Sequence, residues 1–221
     1  EIIMYFAPYG VFALIAKTIS SVSGDISQIG GILSALLFYM GVVIVGLFIH
    51  MGITYISILK FFTNISLKHF FKSIGPVQLV AFSTSSSGAT LPVTMKRCEK
   101  DLGVSEEISS FVLPLGATIN MDGTALYQGV AAVFIAQAVG MDLTLADQFT
   151  IVATAVLASI GTAAVPGAGI IMLVIILEAI NVPSEGIALI LGVDRILDMI
   201  RTTTNVTGDA TIACAMDSLE K

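Results

Sequence analysis

DRILDMIRTTTNVTGD, residues 194–209, is the stretch that decides how this chain folds. It lies in a largely apolar C-terminal segment, yet it carries Asp194, Asp198, Arg201, Thr202, Asn205 and Asp209. At ~100° per residue these six side chains fall within about 100° of arc on a helical wheel, which makes one polar stripe along a helix. Ile196, Met199 and Ile200 fall on the other side, a face suited to lipid or packed protein. Charges at helical spacing ordinarily mark a solvated face. Composition excludes that here.

The chain has 221 residues, 56% hydrophobic and 12% charged, with a mean hydropathy of +0.96. Soluble domains carry roughly 25% charged residues. This is the composition of a multi-pass membrane protein, long enough for several spanning helices of ~20 residues each and without room for a sizeable water-soluble domain. A net charge of -6 and the lack of a basic patch argue against a nucleic-acid partner. Cys98 and Cys214 have no metal or redox spacing and read as small apolar residues. The opening EIIMYFAPYGVFALIA has neither a starting Met nor signal-peptide architecture, so the chain is expected to begin within a longer protein. Upstream helices would then hold further ligands or the oligomer interface.

Outward from the stripe, the chain divides by apolar periodicity. A first spanning helix is expected from Ile2 to about Ser20, within 1–28, and a second over 29–62, ended by Lys60 and the polar run Thr63 to Lys72. His69, between Lys68 and Lys72, reads as interfacial. His50, inside the span, is expected to hydrogen-bond a neighbour. Over 67–101 a short apolar arm, Phe71 to Phe82, stops in Ser83 to Gly88, and a second, Leu91 to Met95, runs into Lys96, Arg97, Glu99 and Lys100. Two half-length arms around a small-residue tip read as a re-entrant hairpin, whose free backbone is tolerated at membrane depth only beside a polar cavity. Over 105–139 a spanning helix is interrupted from Gly116 to Thr124 by Asn120, Asp122 and Gly123, poor helix formers that predict local unwinding. Over 145–181 the hairpin recurs: arms Phe149 to Ile160 and Ile170 to Ile180 flank a tip, Gly161 to Gly169, around Pro166. The polar-striped helix follows over 186–217.

The same unit therefore occurs twice, a broken hairpin and then a helix with Asn and Asp at its middle. Paired interrupted segments point to a transporter site near the bilayer midplane. Lys60, Lys68, Lys72, Lys96, Arg97 and Lys100 flank the first hairpin, so it should enter from the cytoplasm. The second is flanked by Asp142, Asp147, Glu178 and Glu185 and should enter from outside, as an inverted repeat requires.

Intramembrane ionisable groups cost at least ~2.5 kcal/mol each on insertion scales, so they should face one another or a wet cavity. Asp122, Asp194, Asp198 and Asp209 outnumber Arg201, even with Arg195 added. Either some carboxylates are protonated or cations are bound, and an all-oxygen ligand set suits a hard cation, sodium first. Arg201 can hold a carboxylate bidentately, and Asp198 can accept from an ammonium. Together with hairpin-tip N–H groups these describe an acidic amino acid. The alternative is an internal Asp198–Arg201 ion pair of structural value alone. The serine run has no paired His, which makes a hydrolase a poor reading; no enzyme activity is expected.

With YFAPYGVFALIA (5–16), SSSGATLPVTM (85–95), LPLGATINMDGTALYQG (113–129), ASIGTAAVPGAG (158–169) and the opening stretch, the chain resembles the glutamate transporter family. These are the sodium/dicarboxylate symporters, among them excitatory amino acid transporters and archaeal aspartate transporter homologues. The resemblance runs over essentially the whole sequence. It implies an all-α, elevator-type secondary transporter in the cytoplasmic membrane, a homotrimer surrounded by lipid. Residues 1–28 would be part of the scaffold and 29–221 the transport domain, starting at the fifth of eight spanning helices, with the second hairpin as outer gate. It implies an acidic amino-acid substrate, aspartate or glutamate, held by Ser86, Ser87, Thr124, Val165, Gly169, Asp198, Arg201, Thr202 and Asn205. Arg201 matches the position that contacts the side-chain carboxylate.

The resemblance further implies one sodium site from Gly116, Asn120, Asn205 and Asp209, and a second from Thr118, Met121, Ser159, Ile160 and Thr162. A third would use Asn120 and Asp122, with its other ligands on an upstream helix. Sodium ions serve as coupling ions and no cofactor is expected. Relatives carry a further Arg at the first tip or directly after the substrate Asp. Here Ser85 and Met199 stand there, and either Arg195 substitutes or nothing does. The rival functions are a proton- or sodium-coupled C4-dicarboxylate symporter, which has less use for Asp198, and an anion channel, for which Arg195 and Arg201 alone would supply the basic ring.

Overall fold

A computed structural model describes residues 26–221, all helices and connections with no strand among the described residues. The helix expected between Ile2 and Ser20 lies outside the described residues. Helix α1 (Ile26–His50) runs through a π-helical turn (Met51–Tyr55) into α2 (Ile56–Phe62). The stretch Gly30–Phe62 is long and apolar enough to cross a membrane. Helices α3 (Leu67–Thr84) and α4 (Ser87–Leu102) form the first hairpin. Then come α5 (Glu106–Ile119) and α6 (Asp122–Ala138), a second hairpin of α7 (Leu145–Ile160) and α8 (Ala168–Ala179), a 3-10 turn (Ser184–Leu189) and α9 (Leu191–Glu220).

The arms of the first hairpin outrun their apolar stretches. At about 1.5 Å per residue, α3 and α4 reach about 27 and 24 Å. The reason is amphipathicity. Phe70, Ser73, Ile74, Val77 and Ala81 recur at helical spacing and are buried, so α3 continues outward while Lys68 and Lys72 stay exposed. Ser66 caps α3 by accepting from the His69 N–H at 3.3 Å, and His69 Nε2 donates to the Asp101 carbonyl at 2.8 Å, closing the open end. At the tip Ser85 turns the chain in the left-handed region, φ 52°, uncommon for a residue with a Cβ.

Between α5 and α6 the interruption is narrower than expected. Only Asn120 (φ -88°, ψ 68°) and Met121 (φ -110°, ψ 50°) leave the helix. Gly116 and Gly123 stay helical because close approach, not unwinding, is what needs them. A Cβ on Gly116 would sit 2.7 Å from Asp209 Oδ1, and one on Gly123 would sit 2.9 Å from the Arg201 carbonyl. Tertiary packing here overrides a propensity cost of only about 1 kcal/mol per glycine. The second hairpin starts with a capping box, Thr144 accepting from the Asp147 N–H while Asp147 accepts from the Thr144 N–H. The polar helix starts at Leu191 rather than 186, since Ser184–Leu189 wind as a 3-10 turn.

Two cores flank α9. One gathers Tyr39, Val43 and Leu47 of α1, Tyr127 and Ile135 of α6, Ile151 of α7, Leu173 and Ile176 of α8, and Leu197 of α9. The other gathers Leu59 of α2, Phe70, Ile74 and Val77 of α3, Cys98 of α4, Leu113 of α5, and Val206, Ala210 and Cys214 of α9. The first hairpin packs directly on α9, while both arms of the second pack on α6. Asp198 to Asp209 lie where the two cores meet. Outside, Phe38, Phe61, Phe111 and Phe149 are exposed, a lipid- or protein-facing surface.

Candidate functional site

Arg201 stands at the centre of the molecule with 2% of its surface exposed. Its Nη2 lies 2.9 Å from Asp198 Oδ1 and its Nε donates to the same oxygen at 3.0 Å. Its Nη1 donates to Asp194 Oδ1 at 3.3 Å. The guanidinium lies over the Tyr127 ring, 4.1 Å from the centroid, a cation–π contact inside the protein. On the far side α8 approaches so closely that a Cβ on Gly169 would meet Arg201 Nη2 at 2.9 Å. The Asp198–Arg201 pair anticipated as an alternative is therefore present, with Asp194 as a second partner. Asp194 had no role in the sequence reading, although seven residues, two helical turns, put it on the same stripe as Arg201.

Both hairpin tips converge on this pair. Asp198 Oδ2 accepts from the Gly167 N–H at 2.9 Å, and Gln128 Nε2 donates to the Gly169 carbonyl at 3.0 Å. From the first tip, Ser86 Oγ donates to the Ala164 carbonyl at 2.7 Å and the Gly88 N–H donates to it at 3.2 Å. Between the tips lies a cavity of about 20 Å³, the size of one water. Of the nine expected substrate contacts, Ser87, Thr124, Val165, Gly169, Asp198, Arg201, Thr202 and Asn205 line it, and Ser86 does not. Ser85 lines it too, its buried Oγ without a hydrogen-bond partner among the described residues. Arg195 is exposed and does not line the cavity.

The cation candidates divide unevenly. Asn120 Nδ2 donates to Asp209 Oδ1 at 3.0 Å, and Gly116, Asn120 and Asp209 border one cavity of about 180 Å³. Asn205 lines the cavity between the tips: its Oδ1 accepts from the Gly123 N–H at 2.9 Å and its Nδ2 donates to Thr124 Oγ1 at 3.0 Å. In the second set Met121 and Thr162 line the cavity between the tips, and the Thr162 N–H donates to the Ser159 carbonyl at 3.2 Å. Thr118 is exposed, with its hydroxyl turned back to the Leu115 carbonyl, and Ile160 is half-exposed. In the third set Asp122 Oδ2 meets His50 Nε2 and the Tyr55 hydroxyl, each at 2.6 Å, and Asp122 Oδ1 accepts from the Gly123 N–H.

The π-helical turn makes that last cluster. At about 100° per residue, five positions would set His50 and Tyr55 about 140° apart around an α-helix. The wider turn brings both to one carboxylate. Tyr55 also donates to the Thr204 carbonyl at 3.2 Å. Gly208 admits it, since a Cβ there would sit 2.6 Å from the Tyr55 hydroxyl. Tyr55 and Tyr127 are site residues the sequence reading missed. An aromatic in an apolar helix carries no signal of its partner, and nothing in MGITY announces a π turn.

Four carboxylates thus meet unequal company. Asp194 and Asp198 share Arg201, and Asp122 has His50. Asp209, 3% exposed, has only the neutral Asn120 amide among the described residues.

Residues 1–219 match the sodium:dicarboxylate symporter family. Excitatory amino acid transporter 4 of Rattus norvegicus is 44% identical over 220 residues, which is 100% of this chain and 38% of the relative. Excitatory amino acid transporter 1 of the same organism is 44% identical over 220 residues, 100% of this chain and 40% of the relative. An excitatory amino acid transporter of Caenorhabditis elegans is 42% identical over 208 residues, 94% of this chain and 41% of its own. The chain spans about two fifths of the length of these curated relatives. These relatives are transporters, not enzymes. On a match that runs from its first residue to Lys221 less two, the chain belongs to the sodium:dicarboxylate symporter family.

Proposed function

We propose that this chain forms the substrate-carrying part of a sodium-coupled symporter for an acidic amino acid, aspartate or glutamate. The observation that carries the proposal is the buried Asp198–Arg201 pair at the meeting of the two hairpin tips. An acidic amino acid brings both a carboxylate and an ammonium. It can open this one ion pair and make two, its side-chain carboxylate on the Arg201 fork and its ammonium on Asp198. A C4-dicarboxylate would satisfy Arg201 and set its second carboxylate against Asp198, which favours the amino acid. Asp194 keeps a partner on Arg201 throughout the exchange and steadies the guanidinium.

A cavity of about 20 Å³ admits no amino acid, so entry requires the tips to part. The second tip is the mover, because its hold on Asp198 through Gly167 is the contact a substrate ammonium competes with. Asp209, buried and without a cationic partner among the described residues, is where sodium is expected first. Gly116 and Asn120 are its neighbours, Asn205 stands one helical turn before it on α9, and the sets around Met121 and Thr162 and around Asp122 supply further ions. The two hairpins act as re-entrant elements entering from opposite faces of the cytoplasmic membrane. The body described here moves as the carrier of an elevator against a trimeric scaffold.

The test is uptake by the full-length protein in proteoliposomes. Labelled aspartate should accumulate only under an inward sodium gradient; equal accumulation without one removes the coupling. Succinate at the same concentration should leave aspartate uptake unchanged, and equal competition assigns the site to dicarboxylates. Gly169→Ala offers a finer check. Its Cβ would press on a guanidinium that two carboxylates and a ring hold in place, and overpacking of this kind costs about 1–3 kcal/mol. Aspartate affinity should fall about tenfold or more, read by equilibrium binding.

A further inference from the structure

We propose that Ser86 is a positioning residue, whose hydroxyl latches the second hairpin tip to the first and sets how fast the site opens. The proposal rests on the transport function above, in which the tip 161–169 moves to admit substrate. By sequence Ser86 stands among the substrate contacts. In the structure its hydroxyl is already spent. Ser86 Oγ accepts from the Ala89 N–H at 3.1 Å as the N-cap of α4 and donates its one hydrogen to the Ala164 carbonyl at 2.7 Å. Ser85 and Ser87 line the cavity, and Ser86 between them does not.

Ala164 lies at the apex of the second tip. Among the described residues its carbonyl accepts only from the first hairpin, from Ser86 Oγ and from the Gly88 N–H at 3.2 Å. Gly88 permits the approach, since a Cβ there would come within 3.2 Å of the same carbonyl. Among the described residues, two other side-chain bonds tie the tip region to elements outside its hairpin. Asp198 takes the Gly167 N–H, a bond a substrate ammonium would contest, and Gln128 holds Gly169 at the start of α8. The Ser86 bond is the side-chain bond that joins hairpin to hairpin, and substrate has no need to break it. Its loss should lower the closed population whether or not substrate is bound, and apparent affinity falls with that fraction.

Three substitutions separate the latch from the cap. Ser86→Ala removes both. Ser86→Asp keeps an acceptor for the Ala89 N–H, a good N-cap, but has no hydrogen to give and sets a carboxylate against the Ala164 carbonyl. Ser86→Thr keeps both functions. Two rates are measured on the full-length protein: release of labelled aspartate, and hydrogen exchange of backbone amides in 161–169 in sodium without aspartate. Ser86→Ala and Ser86→Asp should each raise both rates about tenfold, the worth of one hydrogen bond, while Ser86→Thr stays near the parent. If Ser86→Asp restores the parent rates that Ser86→Ala lost, the hydroxyl only caps α4 and the latch is wrong. Unchanged exchange in both variants overturns it as well. If the parent protein binds no aspartate, the transport function fails, and the exchange rates still decide the latch.

Discussion

Arg201→Thr is expected to weaken aspartate binding by at least about 100-fold, the loss that follows when one partner of a buried, hydrogen-bonded charge pair is truncated. The guanidinium is held by Asp198, Asp194 and the Tyr127 face, so it is pre-set rather than ordered by the ligand. Threonine supplies neither fork nor charge, and a substrate carboxylate entering beside Asp194 and Asp198 would meet two acids and no cation. Small neutral amino acids escape that penalty, because their ammonium still finds Asp198. Serine binding should therefore hold or improve while aspartate binding collapses, read by sodium-dependent titration of both ligands. Unchanged aspartate affinity removes Arg201 from the site. Leaving two buried acids without their cation should also lower stability by about 3–5 kcal/mol. The serine titration shows whether the variant is still folded.

Asp209→Asn should raise the sodium concentration for half-maximal aspartate binding about 30-fold, the worth of one lost charged contact of about 2 kcal/mol. The substitution is nearly isosteric and keeps a carbonyl oxygen beside Asn120, so geometry changes little while the charge disappears. Its effect on stability should carry the opposite sign. A buried carboxylate without a cationic partner opposes folding in sodium-free buffer, and the amide does not. Without sodium the variant should melt at or above the parent temperature. With sodium the parent should gain stability by ligand linkage and the variant should gain little. A variant whose melting temperature rises with sodium as the parent's does would exclude Asp209 as a sodium ligand.

Several features are legible in the chain alone because they are compositional or local. Membrane residence follows from charge content, and the polar stripe from a period of 3.6 residues. The two hairpins follow from small-residue tips between apolar arms. The break near Asn120 follows from poor helix formers, but its extent does not: Gly116 and Gly123 look like breakers until α9 is seen lying against them. The ends of α3 and α4 are similarly understated by apolar content, since a helix continues wherever one face can be buried.

What the sequence by itself determined is a membrane protein of helices and paired hairpins, with one acidic, arginine-bearing stripe at its centre. Only the tertiary structure decided which partner each polar group keeps. Asp198 reaches Gly167 across 31 residues, His50 reaches Asp122 across 72, and Ser86 reaches Ala164 across 78. Such pairings depend on how whole helices pack, and no local propensity encodes them. In the same way Asp194, a stripe residue without a role in the sequence, holds Arg201, and the Ser86 hydroxyl meets the Ala164 carbonyl of the other hairpin. Periodicity places a side chain on a face; packing settles what that face meets.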